Sequence, residues 1–182
     1  VFARCHHGWM YYDSKKFPER IHPTLKNKDL LVQQVRALHS RGIKAPVYLT
    51  VQADYFTAKR HGEWLIRNQD GSHTGGEFTE PGFWQRLCVN TGYLDFLKEH
   101  TAELIELFGK ELDGLFFDIV GVVPCWCEHC KKEMLAKGID IEKEAEVKEF
   151  ALFMMTCFKN EMTAFVHSFD ENLTVFFNSG HI

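Results

Sequence analysis

The chain has 182 residues, of which 45% are hydrophobic and 14% aromatic, with 16 phenylalanines and a formal charge of −4. That is apolar material for one real core, and it excludes a disordered or low-complexity chain. The mild negative charge gives no basic face for nucleic acid, no apolar run reaches the length of a membrane span, and nothing at the start reads as a signal peptide.

The chain opens on Val1–Cys5 (VFARC), without Met and already strand-like, so we expect it to be a piece of something longer. A polar, aromatic loop follows, HHGWMYYDSKKFPERIHP. Asp29 is placed to cap a helix with Leu30, Leu31, Val35 and Leu38 on one face, closed by Gly42. IKAPVYLTV is the second strand and ends at Gln52-Ala53-Asp54. A long irregular stretch, with QDGSHTGGE as its clearest turn, runs into a helix from about Thr91 to Phe108. Tyr93, Leu97, Thr101, Leu104 and Phe108 share one face of it. LDGLFFDIV is the third strand, followed by a cysteine loop and a short helix. A long helix from about Lys143 to Ser168 should turn Phe150, Met154, Phe158, Met162 and Phe165 inward, and LTVFFNSGHI is the last strand.

The order β-α-β-α-β-α-β, with continuous apolar strands, predicts an α/β fold whose parallel sheet is covered on both faces. A doubly wound sheet and part of a (β/α)8 barrel both satisfy that order. Polar groups end every strand: Cys5-His6-His7, Gln52-Ala53-Asp54, Asp118, and Asn178-Ser179-Gly180-His181. Such ends converge on the mouth of a barrel, where active sites sit. No G-x-G-x-x-G or P-loop follows any strand, so a nucleotide-binding sheet lacks its usual support.

Asp118 ends a Leu-Phe-Phe run, where a carboxylate is costly unless solvated or hydrogen-bonded. Sugar chemistry wants such a group, able to attack an anomeric carbon or stabilise an oxocarbenium ion. A helix cap or a salt-bridged structural Asp is the competing explanation. His6 and His7 suit sugar hydroxyls because a neutral imidazole both donates and accepts, though adjacent residues of an extended chain point to opposite sides. Trp9, Tyr11, Tyr12 and Trp84 lie in loops and offer faces for sugar stacking, with core packing as the alternative.

Three of six cysteines, Cys125, Cys127 and Cys130, fall in a C-x-C-x2-C spacing that suits metal better than pairwise bridges. Tetrahedral Zn²⁺ needs a fourth ligand, and Cys88 in RLCVNTGY is the best placed, with His129 as a substitute. Four thiolates leave no open position, so such a zinc would be structural; reduced thiols without metal are the alternative. Cys5 and Cys157 read as ordinary core residues.

The strings VFARCHHGW, APVYLTV, RLCVNTGY, DGLFFDIVGVVPCWCEHC and TVFFNSGHI, in this order and over nearly the whole chain, resemble the hypothetical glycosyl hydrolase 6 domain of family 151 α-L-fucosidase-type enzymes. The resemblance implies a (β/α)8 barrel, of which this single fragment supplies about the second to fifth strands. It implies a retaining, exo-acting glycoside hydrolase, with Asp118 as nucleophile and a carbohydrate substrate, α-L-fucosides first. His6, His7, Asp54, Asn178 and His181 would hold hydroxyls, and Trp9 and Tyr12 would shape the pocket rim. A more distant resemblance to family 42 β-galactosidases implies structural zinc on Cys88, Cys125, Cys127 and Cys130, with Asn90 beside Cys88. Arg4 stands where that pattern leads us to expect lysine, and no role is assigned to it.

A retaining mechanism needs a second carboxyl about 5–5.5 Å from the nucleophile. Asp54, Glu77 and Glu80 are poor candidates, and we expect a Glu on a later strand beyond Ile182, leaving this fragment inactive alone. A β-galactosidase-like hydrolase is the alternative enzyme. A non-catalytic zinc-stabilised carbohydrate-binding or assembly fragment is the alternative of another class. A barrel open at both ends exposes two sheet edges, so the chain either pairs with another copy as a homo-oligomer or is an excerpt. Reduced thiols point to the cytoplasm.

Overall fold

The computed structural model describes residues 1–75 and 85–179. Glu77, Glu80, Trp84, Gly180 and His181 lie outside the described residues. Four strands, β1 (Phe2–Arg4), β2 (Val47–Thr50), β3 (Gly114–Asp118) and β4 (Thr174–Phe177), form one sheet in the order β1-β2-β3-β4. Every neighbouring pair is parallel. The helices are α1 (Leu30–His39), the single turn α2 (Tyr55–Ala58), α3 (Tyr93–Phe108), α4 (Glu128–Ala136) and α5 (Glu144–His167). Parallel neighbours cannot be joined by a tight turn, so each crossover carries helix back along the sheet.

Strand residues alternate between two faces. Ala3, Val47, Leu49, Leu115, Phe117, Val175 and Phe177 point into one cluster with Leu31 and Val35 of α1, Tyr93, Leu97 and Leu104 of α3, and Met155, Phe158 and Met162 of α5. The other face carries Phe2, Tyr48, Phe116 and Phe176 as a row of rings, with successive centroids 4.5, 5.5 and 4.8 Å apart. Phe2 is 58% and Phe176 50% exposed, so among the described residues helices cover one face only. The strands nevertheless read as unbroken apolar runs, because this second face is aromatic rather than polar.

Most predicted elements are present, with local differences. Asp29 occupies the N-cap of α1, but its side chain makes no capping bond. The α3 face is as expected, and Tyr93, Leu97, Thr101, Leu104 and Phe108 are all buried. The buried residues of α5 are Val147, Phe150, Ala151, Met155, Phe158, Met162 and Val166. Met154 and Phe165 are only half-buried. Met155 and Val166, each one residue further along the helix, are buried in their place.

Gly114 must be glycine: a Cβ there would collide with the Thr174 carbonyl across the β3–β4 ladder. Just before Gly114, Asp113 accepts from His39 Nε2 and from the Ala45 amide, both at 2.7 Å. That carboxylate ties the end of α1 and the entry to β2 to the start of β3.

Glu103 of α3 organises the first loop. It accepts from the Tyr12 hydroxyl at 2.6 Å, from Ser14 Oγ at 2.7 Å, and from the Lys15 and Lys16 amides at 2.6 and 2.9 Å. Burial alone would push its pKa up, but these donors outweigh it and hold the carboxyl below its ordinary value. A carboxyl depressed in the folded state adds stability above its unfolded pKa of about 4.3 and loses it as pH falls through the folded value. Glu103→Gln is therefore expected to lower Tm at pH 7, with the gap to the parent narrowing below pH about 4. Calorimetric scans of both proteins from pH 3 to pH 7 check this. Among the described residues no helix is long and apolar enough to cross a membrane.

Candidate active site and cysteine cluster

Asp118 is the last residue of β3, paired with Thr50 of β2. It falls on the aromatic face, two residues beyond Phe116. Its neighbours come from the strands on either side. The Tyr48 hydroxyl donates to Oδ2 at 2.6 Å, and Asn178 Nδ2 donates to Oδ1 at 2.7 Å. From the turn after β1, His6 Nε2 lies 3.1 Å from the Tyr48 oxygen and 3.9 Å from Asp118 Oδ2. The Asp118 side chain stays 16% and His6 36% exposed. The carboxylate is thus neither a helix cap nor a dry ion pair. It is an oriented, accessible group held by side chains from the chain segments on either side of β3.

The residue after it is strained. Ile119 has φ 56° and is the sole non-glycine with positive φ among the described residues. For a β-branched side chain this is a true outlier, costing about 1–2 kcal/mol. Neighbouring hydrogen bonds hold it: the Gln52 amide donates to the Ile119 carbonyl at 3.2 Å, and the Val120 amide to the Asn178 carbonyl at 3.1 Å. Gln52 Oε1 also accepts from the Gly121 amide at 2.8 Å. The turn that leaves Asp118 is therefore pinned to the ends of both β2 and β4.

Two expected sugar-binding residues do not join this group. Asp54 is fully buried. It caps α2 through the Thr57 amide at 2.9 Å and accepts from Thr57 Oγ1 at 2.7 Å, and it pairs with Arg4 and with Arg20 Nη1, the latter at 3.2 Å. Arg4, given no role on the sequence, is the hub of this knot. A register irregularity in β1 accompanies its turn into the helical layer, where it lies over Phe96 and donates to the Thr50 carbonyl at 2.6 Å. Arg20 stacks on Phe56 and Phe96, with its carbon 4.5 and 4.1 Å from the ring centroids. Gly8 passes over Asp54 with φ 83°, where any Cβ would strike that carboxylate. Tyr12 is buried with its hydroxyl committed to Glu103, so it forms no rim. Trp9 is half-buried edge-on against Phe56 and His22, and His7 is half-buried in the loop after β1.

The four expected cysteines meet. Cys88, Cys125, Cys127 and Cys130 are buried, and their sulfurs all lie within 4.8 Å of one another. A tetrahedron of sulfurs at about 2.3 Å from a central ion has edges of about 3.8 Å, and the Cys88–Cys130 pair is at 3.5 Å. All six cysteines are free thiols. Hydrogen bonds with Cys125 are the first cause that pushes Cys88 and Cys130 up and pulls Cys127 down. Asn90 Nδ2 approaches Cys130 Sγ at 3.7 Å, as an outer-shell donor to a ligand would. His129 is exposed and outside the cluster. Ile66, Trp126, Met134, Val147 and Phe150 pack around the thiols as a second small core. The donor set fits a structural metal ion. Cys5, by contrast, is half-buried against the Tyr11 hydroxyl at 3.0 Å, and Cys157 is half-buried on α5.

The family model described as hypothetical glycosyl hydrolase 6 matches residues 1–119, from β1 through Asp118. The chain belongs to that glycosyl hydrolase family. An α-L-fucosidase isoenzyme 2 from Paenibacillus thiaminolyticus superposes with a TM-score of 0.89 and is 34% identical over 100% of this chain. This chain spans 27% of that enzyme's length. A hypothetical protein from Ruminiclostridium thermocellum shares the fold, with a TM-score of 0.54, 14% identity, and coverage of 99% of this chain and 80% of its own. A search of curated proteins finds no match. The chain is a glycosyl hydrolase-like domain of α/β fold with a small parallel sheet, structurally close to part of an α-L-fucosidase.

Proposed function

We propose that this domain forms about the second to fifth strands of the (β/α)8 catalytic barrel of a retaining exo-glycosidase acting on α-L-fucosides, with Asp118 as nucleophile. One observation carries the reading: Asp118 stands at a strand's C-terminal end, oriented through both oxygens by neighbouring strands yet open to solvent. The unreversed strand order supports a barrel, since a doubly wound sheet turns back at a switch point. The half-exposed aromatic face suits a barrel interior closed by further strands.

In this reading a carboxylate oxygen of Asp118 bonds to the anomeric carbon as the glycosidic bond breaks. A Glu of a later strand protonates the departing oxygen, and water then hydrolyses the glycosyl ester. His6, His7 and Asn178 hold sugar hydroxyls, with His181 of the same chain end as a further candidate from its sequence, and Trp9 shapes the rim. The cysteine cluster holds zinc, which fixes the loop leaving Asp118 without taking part in the chemistry.

The test is to trap the intermediate in the full-length protein with a 2-deoxy-2-fluoro-α-L-fucosyl fluoride and map the label by mass spectrometry. The label is expected on the peptide containing Asp118. A label elsewhere, or faster hydrolysis of an aryl β-galactoside than of the aryl α-L-fucoside, overturns the proposal.

A further inference from the structure

We propose that Tyr48 is a positioning residue for Asp118, set by His6 through a one-way chain of hydrogen bonds from His6 Nε2–H to the Tyr48 hydroxyl to Asp118 Oδ2. The inference rests on the reading of Asp118 as nucleophile.

Tyr48 belongs to a row whose other members, Phe2, Phe116 and Phe176, carry no polar atom. Rings on both sides hold it, Phe2 at 4.5 Å and Phe116 at 5.5 Å between centroids, so the backbone and its packed neighbours place the hydroxyl. A phenol has one proton to give. An ionised carboxylate only accepts, so that proton goes to Asp118 at 2.6 Å. The oxygen 3.1 Å from His6 Nε2 must then accept, which requires the Nε2–H form of His6. Burial, and then the bond to Asp118, push the Tyr48 phenol well above its ordinary range, so it stays protonated and donates. The other titratable groups that bear on Tyr48 from the β1 side are Cys5 and Arg4, and Arg4 is already engaged by Asp54 and the Thr50 carbonyl. On the β4 side Asn178, which is neutral, holds the second oxygen.

Donation to a carboxylate favours its charged form. In a two-step displacement the charge on Asp118 is lost when the sugar ester forms and regained when water releases it. The Tyr48 hydroxyl therefore restrains the first step and assists the second, because it makes Asp118 a better leaving group. Losing it should slow release of the ester, so that the glycosyl-enzyme accumulates.

In the full-length protein, Tyr48→Phe is expected to lower kcat on an aryl α-L-fucoside by about ten- to a hundredfold, the factor a hydrogen bond to a charged group is worth. KM should fall with it, leaving kcat/KM nearly unchanged, and a burst of released phenol should appear. The acidic limb of the kcat/KM profile should move to higher pH. His6→Leu should move the acidic limb the same way by a smaller amount, and His6→Gln, which keeps a donor, should bring the limb back toward the parental pH whatever either change costs in turnover. Unchanged limbs without a burst in Tyr48→Phe, or equal limb shifts in His6→Leu and His6→Gln, overturn the inference. The Asp118 reading is scored separately by azide rescue of Asp118→Gly, so the two fail in different ways.

Discussion

Replacing Asp118 by glycine is expected to lower turnover of an aryl α-L-fucoside by on the order of 10⁴-fold or more, the size of effect seen when a covalent catalyst is removed. That is about 5.5 kcal/mol of transition-state stabilisation. The fold should survive, because the side chain is partly exposed and its hydrogen bonds go to Tyr48 and Asn178, neither of which is fully buried. Glycine leaves space for a small anion, and azide should restore turnover as an azido-fucoside. Kinetics with and without azide, together with a melting curve, read out both parts. An unaided Asp118→Gly protein with parental turnover would rule out Asp118 as the nucleophile.

Cys127→Ser should act on the other axis, with a large loss of stability. Metal binding at a structural cysteine site contributes about 10–16 kcal/mol in small zinc peptides, and that free energy is part of folding. Here the four sulfurs draw together residue 88, before α3, and residues 125–130, before and within α4. Losing one ligand should reduce bound zinc measured by plasma emission from about one per chain toward zero. Tm should fall by many degrees, and a chelator should bring the parent toward the same Tm. Unchanged zinc content in Cys127→Ser would remove the cluster as the binding site. Because the loop from Ile119 to Cys125 joins the cluster to Asp118, activity should fall before the protein melts.

How legible these features were in the sequence depended on the range of the contacts behind them. The cysteine loop is local, and spacing alone brought three thiols together. Asp118 was conspicuous because a charge closes an otherwise apolar run. Asp54 looked the same on paper, a carboxylate at a strand end, yet it is buried between two arginines. Those partners lie 50 and 34 residues away in sequence, which no periodicity records. One local signal was present: Asp54 precedes Thr57 by three residues at the start of a helical turn, an N-cap arrangement. Tyr48 carried no signal, since a tyrosine inside a strand usually reports only packing. The strained Ile119 was equally hidden, because isoleucine after a strand gives no hint of a left-handed backbone.

The charged knot beneath the sheet bears on how the chain finds its pairing. Arg4, Arg20 and Asp54 meet only when β1 lies beside β2 in the observed alignment. A slip of one residue would swing Arg4 outward and leave Asp54 with only Arg20 and Thr57 as partners. Apolar strands tolerate many slipped alignments almost equally well. The ionic knot does not, and so it favours the one alignment in which both arginines reach Asp54.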